Sequence, residues 1–248
     1  MPVLKPHSAP RSATTSSWCF VSPPVGLILN VVGVIARIDP SIGGQAQLQW
    51  CTFYGGNNDD VIYGVKIGPA GEIAFVGRTL SNNLPTTPGA LRSFYTASGD
   101  AFVGTLSGDG TALLYSTYLG GTGSEGNMMG LNTDQNNDVY IFGYSGSSDF
   151  PVSGLPNTPL QTTNLGSNDK TFTKINSDLS SLVFSTYYGG SNVGNYPGVM
   201  AENRESHEKR GTAHRFIIEG AHPRVTSSIQ RLAARMLTGR TCRTTRRA

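Results

Sequence analysis

Apolar and polar residues alternate along short segments of this chain, and three of the segments closely resemble one another. They are Leu48–Gly56 (LQWCTFYGG), Leu113–Gly121 (LLYSTYLGG) and Leu182–Gly190 (LVFSTYYGG), and their glycine pairs lie 65 and 69 residues apart. Alternation with a period of two that ends in aromatic residues before Gly-Gly is typical of a β-strand that stops at a turn. The spacing therefore indicates an internal repeat built from strands.

Each repeat contains further predicted strands besides the Gly-Gly segment. One alternating run precedes each copy of that segment, and two more runs lie between successive glycine pairs, joined by turns rich in Gly, Asp, Asn and Ser. The proline-containing stretches 84–88 and 150–159 are predicted to lie outside the sheet or along its edge, because Pro cannot donate to a strand ladder. The additional strands are predicted at Val34–Asp39, Val61–Ile67, Glu72–Thr79, Ala101–Ser107, Met128–Thr133, Asp138–Ser145 and Thr171–Asn176.

Four antiparallel strands in each repeat are the arrangement found in the blade of a β-propeller. We therefore predict an all-β fold, a partial β-propeller of four-stranded antiparallel blades with irregular termini. The repeats account for about two full blades plus parts of two more. A blade buries its faces by stacking on its neighbours. Because a propeller typically has about four to eight blades, the ring is not expected to close within this chain alone.

Composition and charge divide the chain into three parts. The content of 31 Gly in 248 residues, with 14% charged residues, favours short strands and tight turns over helices. Residues 1–200 hold eight Lys or Arg and twelve Asp or Glu, whereas residues 201–248 hold eleven and four. We predict a poorly ordered segment at 1–31, β-propeller repeats at 32–200, and an Arg-rich tail at 201–248 that is disordered or weakly helical. A short amphipathic helix is predicted at Ser228–Met236.

Cysteine usage and hydropathy exclude several classes of protein. Cys19, Cys51 and Cys242 share no motif, which indicates neither a disulfide framework nor a zinc site. No run of about 20 apolar residues is present, so no membrane span is predicted. Pro24–Ala36 is the most apolar stretch, and it is predicted to form a buried strand pair. It is a poor signal-peptide core because it lies late in the chain and carries Asn30.

Several repeat motifs recur in an order that is similar to a known family. The segments LLYSTYLGG, DVYIFGYSGSSDFP, LPTTPGA and GDAFVGTL resemble the bacterial β-propeller repeats often called SBBP, over about residues 32–200. The resemblance implies a propeller within a large secreted or cell-surface bacterial protein. It implies no defined activity and supplies no catalytic residues.

The third repeat departs from this family pattern after Gly190. It continues into NYPGV at 195–199, and from residue 201 onwards the chain contains ten Arg and no Tyr. We interpret this change as a disruption of the coding frame or of the gene near Met200. Nucleic-acid binding by the tail is disfavoured, because Phe216 is its one aromatic residue and stacking partners for bases are therefore lacking.

Asp134, Asn136 and Asp138 have the spacing of the first ligands of a calcium loop. Position six of such a loop, where Gly is needed, is Val139, and position twelve is Ser145 rather than Glu. A hairpin turn stabilised by Asx side chains is the favoured alternative, and no specific calcium site or cofactor is predicted.

Asp59 and Asp60 follow the first Gly-Gly pair and form a candidate site for a cation or for sugar hydroxyls. The second repeat has only Glu125 in the corresponding loop, so a solvated loop at one end of the propeller is the favoured alternative. This rim is still the place where a ligand is expected, because binding residues concentrate on loops carried by a rigid scaffold.

Catalysis finds little support in the sequence. The four histidines, at positions 7, 207, 214 and 222, all lie outside the repeats, so a Ser-His-acid arrangement within them is excluded. We therefore expect a non-catalytic module of a secreted or cell-surface protein that acts as an interaction or structural scaffold, although no signal peptide is evident. Other protein domains or surface glycans are the expected partners. A fragment of a carbohydrate-active propeller enzyme is the alternative, since carboxylate pairs cannot be read from spacing alone.

Overall fold

The chain is all-β throughout the residues that this computed structural model describes. These are residues 31–96, 98–126, 128, 130–154, 158–191, 199–203 and 215–219, and the last two ranges are described as backbone only. The described helical structure consists of one 3-10 turn, Gly44–Gln47. In this part of the chain no helix is long and apolar enough to cross a membrane.

The ten strands predicted from the sequence are all present, with ends that differ by one or two residues. They are followed by a further pair near residue 200. The strands are β1 Gly33–Ile38, β2 Leu48–Tyr54, β3 Asp60–Ile67, β4 Ile73–Thr79, β5 Asp100–Leu106, β6 Leu113–Leu119, β7 Gly130–Thr133, β8 Val139–Ser145, β9 Asp169–Ile175, β10 Leu182–Tyr188, β11 Val199–Asn203 and β12 Arg215–Glu219.

The strands pair antiparallel in chain order. An N-terminal sheet contains β1 and β2, a first four-stranded sheet has the order β3-β4-β5-β6, and a second four-stranded sheet has the order β7-β8-β9-β10. The pair β11 and β12 forms a separate two-stranded sheet. The prediction of an all-β fold with four-stranded antiparallel sheets is therefore confirmed.

Both faces of the two central strands of the first four-stranded sheet are buried, and this explains the composition of these strands. β4 and β5 carry apolar or small residues at nearly every position and are buried along almost their whole length. Successive side chains point to opposite faces of a strand. Phe75 and Phe102 therefore pack on one face, whereas Val76 and Val103 pack on the other.

The first of two apolar cores lies between the N-terminal sheet and the first four-stranded sheet. Tyr54 packs against Phe75 and Phe102, with ring centroids 4.8 and 5.0 Å away. Such edge-on and tilted aromatic contacts add to the stabilisation from buried area. The other buried members of this core are Ile35, Ile73, Leu84, Leu106 and Tyr118.

The second core joins the two four-stranded sheets. Ala74, Val76, Ala101 and Val103 contribute one side, and their small size allows the two sheets to approach closely. The other side consists mainly of Val139, Ile141, Ile175 and Tyr187, with Phe150 and Leu179 from the connecting segments. Since both cores share the first four-stranded sheet, three sheets stack face to face.

The β3–β4 and β7–β8 turns adopt a common backbone conformation. The N–H of Gly68 donates to the carbonyl of Glu72 at 2.8 Å, and the N–H of Asp134 donates to the carbonyl of Asp138 at 3.1 Å. The fourth residue of each turn, Gly71 or Asn137, has φ of 90° or 62°. Gly and Asn are the residue types that adopt this left-handed conformation most easily.

One predicted strand is shorter in the structure. The segment predicted at Met128–Thr133 forms β7 from Gly130 only. Met128 lies before the strand, and its fully buried side chain packs in the second core. The flexible thioether of Met fills irregular space between sheets. Alternation of apolar and polar residues does not distinguish such a Met from one within a strand.

The predicted boundaries at residues 31 and 200 border on parts of the chain that are not described. Segment 1–31, apart from Val31, and the predicted helix Ser228–Met236 lie outside the described residues. β11 and β12 pair across the boundary at residue 200, from Val199 with Glu219 to Asn203 with Arg215. The predictions for the two terminal segments otherwise stay predictions.

Candidate functional site

Asp59 and Asp60, the candidate ligand pair of the first repeat, lie in different environments. Asp59 is exposed, and its Oδ1 accepts a hydrogen bond from the backbone N–H of Val31 at 2.9 Å. Asp60 begins β3 and is completely buried. The two carboxylates therefore do not share one accessible surface.

The Asp60 carboxylate connects two loops. Its Oδ2 accepts hydrogen bonds from the backbone N–H of Gly56 at 2.6 Å and from Ser81 Oγ at 2.9 Å. Burial raises the pKa of Asp60 above its ordinary value, and hydrogen bonds from Thr79, Gly56 and Ser81 offset part of that rise. Asp60 thus joins the turn that follows β2 to the segment that follows β4.

Glu125 occupies the corresponding position one repeat later. It follows Gly121 by four residues, as Asp60 follows Gly56. Its Oε1 accepts hydrogen bonds from Ser147 Oγ at 2.5 Å, Ser145 Oγ at 2.9 Å and the N–H of Gly121 at 3.2 Å. Glu125 is also completely buried, so it serves the same connecting role between the two four-stranded sheets.

Glu125 also forms a carboxyl pair with Asp100. A Cβ atom at Gly120 would lie 2.6 Å from Glu125 Oε2 and 2.9 Å from Asp100 Oδ1, so both oxygens approach this glycine. Among the described residues Oε2 has no hydrogen-bond partner. Burial, reinforced by the negative charge of Asp100, raises the pKa of Glu125 to about 7. The Glu125 carboxyl is therefore largely protonated below neutral pH, beside the Asp100 carboxyl.

The residues that resemble a calcium loop form the β7–β8 turn. Asp134 Oδ1 accepts hydrogen bonds from the backbone N–H groups of Asn136 at 2.9 Å and Asp138 at 3.0 Å. This is the Asx-stabilised turn that the sequence favoured. Asn136 is exposed, whereas Asp134 is buried.

The remaining oxygens of this turn hold an internal ammonium group. Lys174 Nζ lies 2.9 Å from Asp134 Oδ2 and 2.8 Å from Asp138 Oδ2, and it sits 5.0 Å from the centre of the Tyr140 ring. Burial by itself lowers the pKa of Lys174, but hydrogen bonds to Asp138, Asp134 and Tyr140 raise it above its ordinary value. The turn therefore binds a side chain of its own sheet.

Two buried tyrosines bridge neighbouring segments through their hydroxyl groups. The Tyr118 hydroxyl donates to the carbonyl of Ser81 and accepts from the N–H of Leu84, both at 2.9 Å. Tyr187 repeats this arrangement with the carbonyl of Ser147 and the N–H of Phe150. Together with Tyr54, these two tyrosines are buried in the two cores, so their rings pack between sheets.

We expect the Tyr118→Phe variant to lower the free energy of unfolding by about 2 kcal/mol, because the buried N–H of Leu84 loses its partner and the carbonyl of Ser81 loses the shorter of its two hydrogen bonds. Urea denaturation measures the loss directly. The matched control is Tyr63→Phe, at a residue that is 40% exposed on β3, and it should change the stability by less than about 0.5 kcal/mol. Equal stability of the wild type and Tyr118→Phe would show that the bridge contributes nothing.

Sequence reasoning did not identify Asp100, Glu125 and Lys174 as members of polar clusters. The repeat did contain a signal for Asp100 and Glu125. Glu125 follows its Gly-Gly pair at the same distance as Asp60 follows the preceding pair. Asp100 and Asp169 each begin the strand that precedes a Gly-Gly segment. Lys174 had no such signal, because Thr105 occupies the corresponding position in the other sheet.

Within the described ranges, no three His, Cys, Asp or Glu side chains are grouped closely enough to hold a metal ion. Neither a protein-family model nor a curated protein matches the sequence.

Proposed function

We propose that residues 32–200 are part of a β-propeller in which β3–β6 and β7–β10 are two complete blades. In this arrangement β1 and β2 are the last two strands of the preceding blade, and β11 is the first strand of the following one. The antiparallel chain order within both four-stranded sheets supports this assignment. So does the stacking of three sheets through two cores, with the inner strands β3 and β7 beside each other.

The proposed function is that of a non-catalytic scaffold or interaction module in a secreted or cell-surface bacterial protein. The observation that carries it is the use of the buried acidic residues as connections. Asp60 and Glu125 accept hydrogen bonds from a loop on one side and from serine hydroxyls on the other. Buried carboxyl groups that accept these internal hydrogen bonds stabilise the stacking of repeats and are unable to act on a substrate.

The alternative, a fragment of a carbohydrate-active enzyme, has one arrangement in its favour. Asp100 and Glu125 are a carboxyl pair with a raised pKa on Glu125, as a general acid requires. Glycosidases separate their two carboxyl groups by roughly 5 Å or more so that the sugar fits between them. Here both carboxyl groups are completely buried, so a sugar has no access to them, which favours the scaffold.

A hydrolase panel with a parallel glycan array tests the proposal. We expect the purified 248-residue chain to show no turnover of aryl glycosides or polysaccharides above the background, with any glycan recognition appearing as binding alone. Turnover that disappears in Glu125→Gln, or in the double variant Asp59→Asn/Asp60→Asn, would establish the enzyme instead. The exposed Asp109→Asn is the matched control, and it should leave any measured signal unchanged.

A further inference from the structure

A cleft of about 120 Å³ lies between the two four-stranded sheets, at the end where the β3–β4 and β7–β8 turns meet. It is separate from the acidic connections described above. Its lining includes Gly68 and Glu72 from the first turn, Thr105 and Tyr115 from β5 and β6, Asn137 from the second turn, and Ser177. Among its lining residues there is one carboxylate and no Lys or Arg.

Three buried oxygen atoms of this lining have no hydrogen-bond partner among the described residues. They are Glu72 Oε2, Thr105 Oγ1 and Asn137 Oδ1. Thr105 is only 7% exposed. Gly68 lies directly beneath the amide, since a Cβ atom there would be 2.6 Å from Asn137 Oδ1. Buried polar atoms are almost always paired in folded proteins, so three unpaired acceptors in one cleft indicate a ligand that donates hydrogen bonds.

The second four-stranded sheet shows what occupies the corresponding place there. Ala74 lies three residues before Gly77, and it pairs with Thr105. Tyr140 lies three residues before Gly143, and it pairs with Lys174. Thr105 therefore corresponds to Lys174. In the second sheet this position holds an ammonium group between the carboxylates of Asp134 and Asp138.

The first sheet retains an acid but lacks the internal cation. Glu72 corresponds to Asp138, since each lies five residues before the glycine of its strand. Thr105 in place of Lys174 removes the ammonium group, and Ala74 in place of Tyr140 removes a ring. The cleft is thus the space that these two smaller side chains leave, and a carboxylate oxygen remains buried beside it.

We propose that this cleft binds a primary ammonium group carried on a short aliphatic stem. An ammonium group has three N–H donors, which match the three unpaired acceptors of Glu72, Thr105 and Asn137. The ring of Tyr115 lines the same cleft and favours a cation further. A calcium ion is disfavoured, because it requires about six to eight oxygen ligands. This binding site is independent of the proposed scaffold function, because the cleft requires only that the two four-stranded sheets stack.

Calorimetric titration of the full 248-residue chain with n-butylammonium chloride tests this inference. We expect saturable binding of one equivalent, with n-butanol and calcium chloride giving none. A parallel titration with N-acetyl-lysine methylamide shows whether the natural ligand is a lysine side chain of a polypeptide or a free amine. If this compound binds more tightly than n-butylammonium, the ligand is a lysine side chain. If it binds more weakly, the ligand is a free amine. Equal affinity for n-butanol, or displacement of the amine by calcium, would overturn the proposal.

Two variants test the site itself. Glu72→Gln keeps the shape but removes the charge, and it should weaken n-butylammonium binding about tenfold or more. Thr105→Lys should place an internal ammonium group in the cleft, as Lys174 does in the next sheet, and should abolish the titration while raising the midpoint of thermal unfolding. Asp109→Asn is the control and should bind like the wild type. Wild-type affinity in Glu72→Gln would overturn the proposal, even if Thr105→Lys failed to fold, and it would leave the scaffold function untouched.

Discussion

We expect the Gly77→Ala variant to be destabilised by about 3 kcal/mol or more. Gly77 lies in β4, where it pairs with Ile62 of β3 and Phe102 of β5. A Cβ atom at this position would overlap both the carbonyl oxygen of Val61 and the ring of Phe102. The carbonyl belongs to the backbone of β3, so relief would require the strands to separate in the middle of the first four-stranded sheet. Urea unfolding followed by circular dichroism measures the loss.

Gly43→Ala is the matched control for this substitution. Gly43 has φ of −86°, and a Cβ atom there would meet no other atom within 4 Å. We expect its stability to remain within about 0.5 kcal/mol of the wild type. A similar small change in both variants would contradict the close strand approach at Gly77.

We expect Glu125→Gln to stabilise the protein by about 3 kcal/mol at about pH 8 while leaving it nearly unchanged at about pH 4. The glutamine side chain is uncharged, as the protonated Glu125 carboxyl is, so it removes the cost of burying a negative charge beside Asp100. The amide oxygen continues to accept from Ser145 and Ser147, which hydrogen-bond to Glu125 Oε1 in the wild type. The variant therefore resembles the protonated form at every pH.

The direction of this effect follows from proton linkage. The folded state raises the pKa of Glu125 from 4.5 to about 7. Between these values the folded chain binds more protons at this site than the unfolded chain, so wild-type stability falls as the pH rises. Each pKa unit corresponds to about 1.4 kcal/mol, which gives a loss of about 3 kcal/mol that is complete above pH 7. Urea denaturation at a series of pH values measures both the slope and its removal.

Asp109→Asn provides the control for the pH series. Hydrogen bonds from Ser107 and Thr111 lower the pKa of the exposed Asp109 carboxyl to about 2, so this group stays ionised between pH 4 and 8. The variant should show the same decline in stability as the wild type over that range. If Glu125→Gln declined equally, titration of the buried Glu125 carboxyl would be the wrong explanation.

Strand positions could be predicted because the signals for them are local. In Leu113–Leu119 the alternation, the aromatic residues and the following Gly-Gly all lie within a few residues of one another. Short turns favour antiparallel pairing of each strand with the next one along the chain. The structure shows that order in both four-stranded sheets. Met128 was assigned to a strand because an apolar residue that fills space between sheets has the same local pattern as one within a strand.

The polar sites could be predicted only in part, because neighbours in sequence need not share an environment. Asp59 and Asp60 were grouped as a ligand pair, yet the first is exposed and the second is buried. Asp134 and Asp138 do lie together, and their Asx turn follows from local hydrogen bonds. The ammonium group that they hold comes from Lys174, which reaches them through the pairing of β8 with β9.

Ten strands, their order and the antiparallel four-stranded sheets could be predicted from local patterns, since each depends on alternation and turn residues within a short stretch. Only the stacking of the sheets determines which side-chain oxygens lie close together. Asp100 and Glu125 both approach Gly120 because two sheets stack there. The unpaired oxygens of Glu72, Thr105 and Asn137 line one cleft because two turns end at the same place. Stacking depends on side-chain volumes across facing sheets, and no local pattern records those volumes.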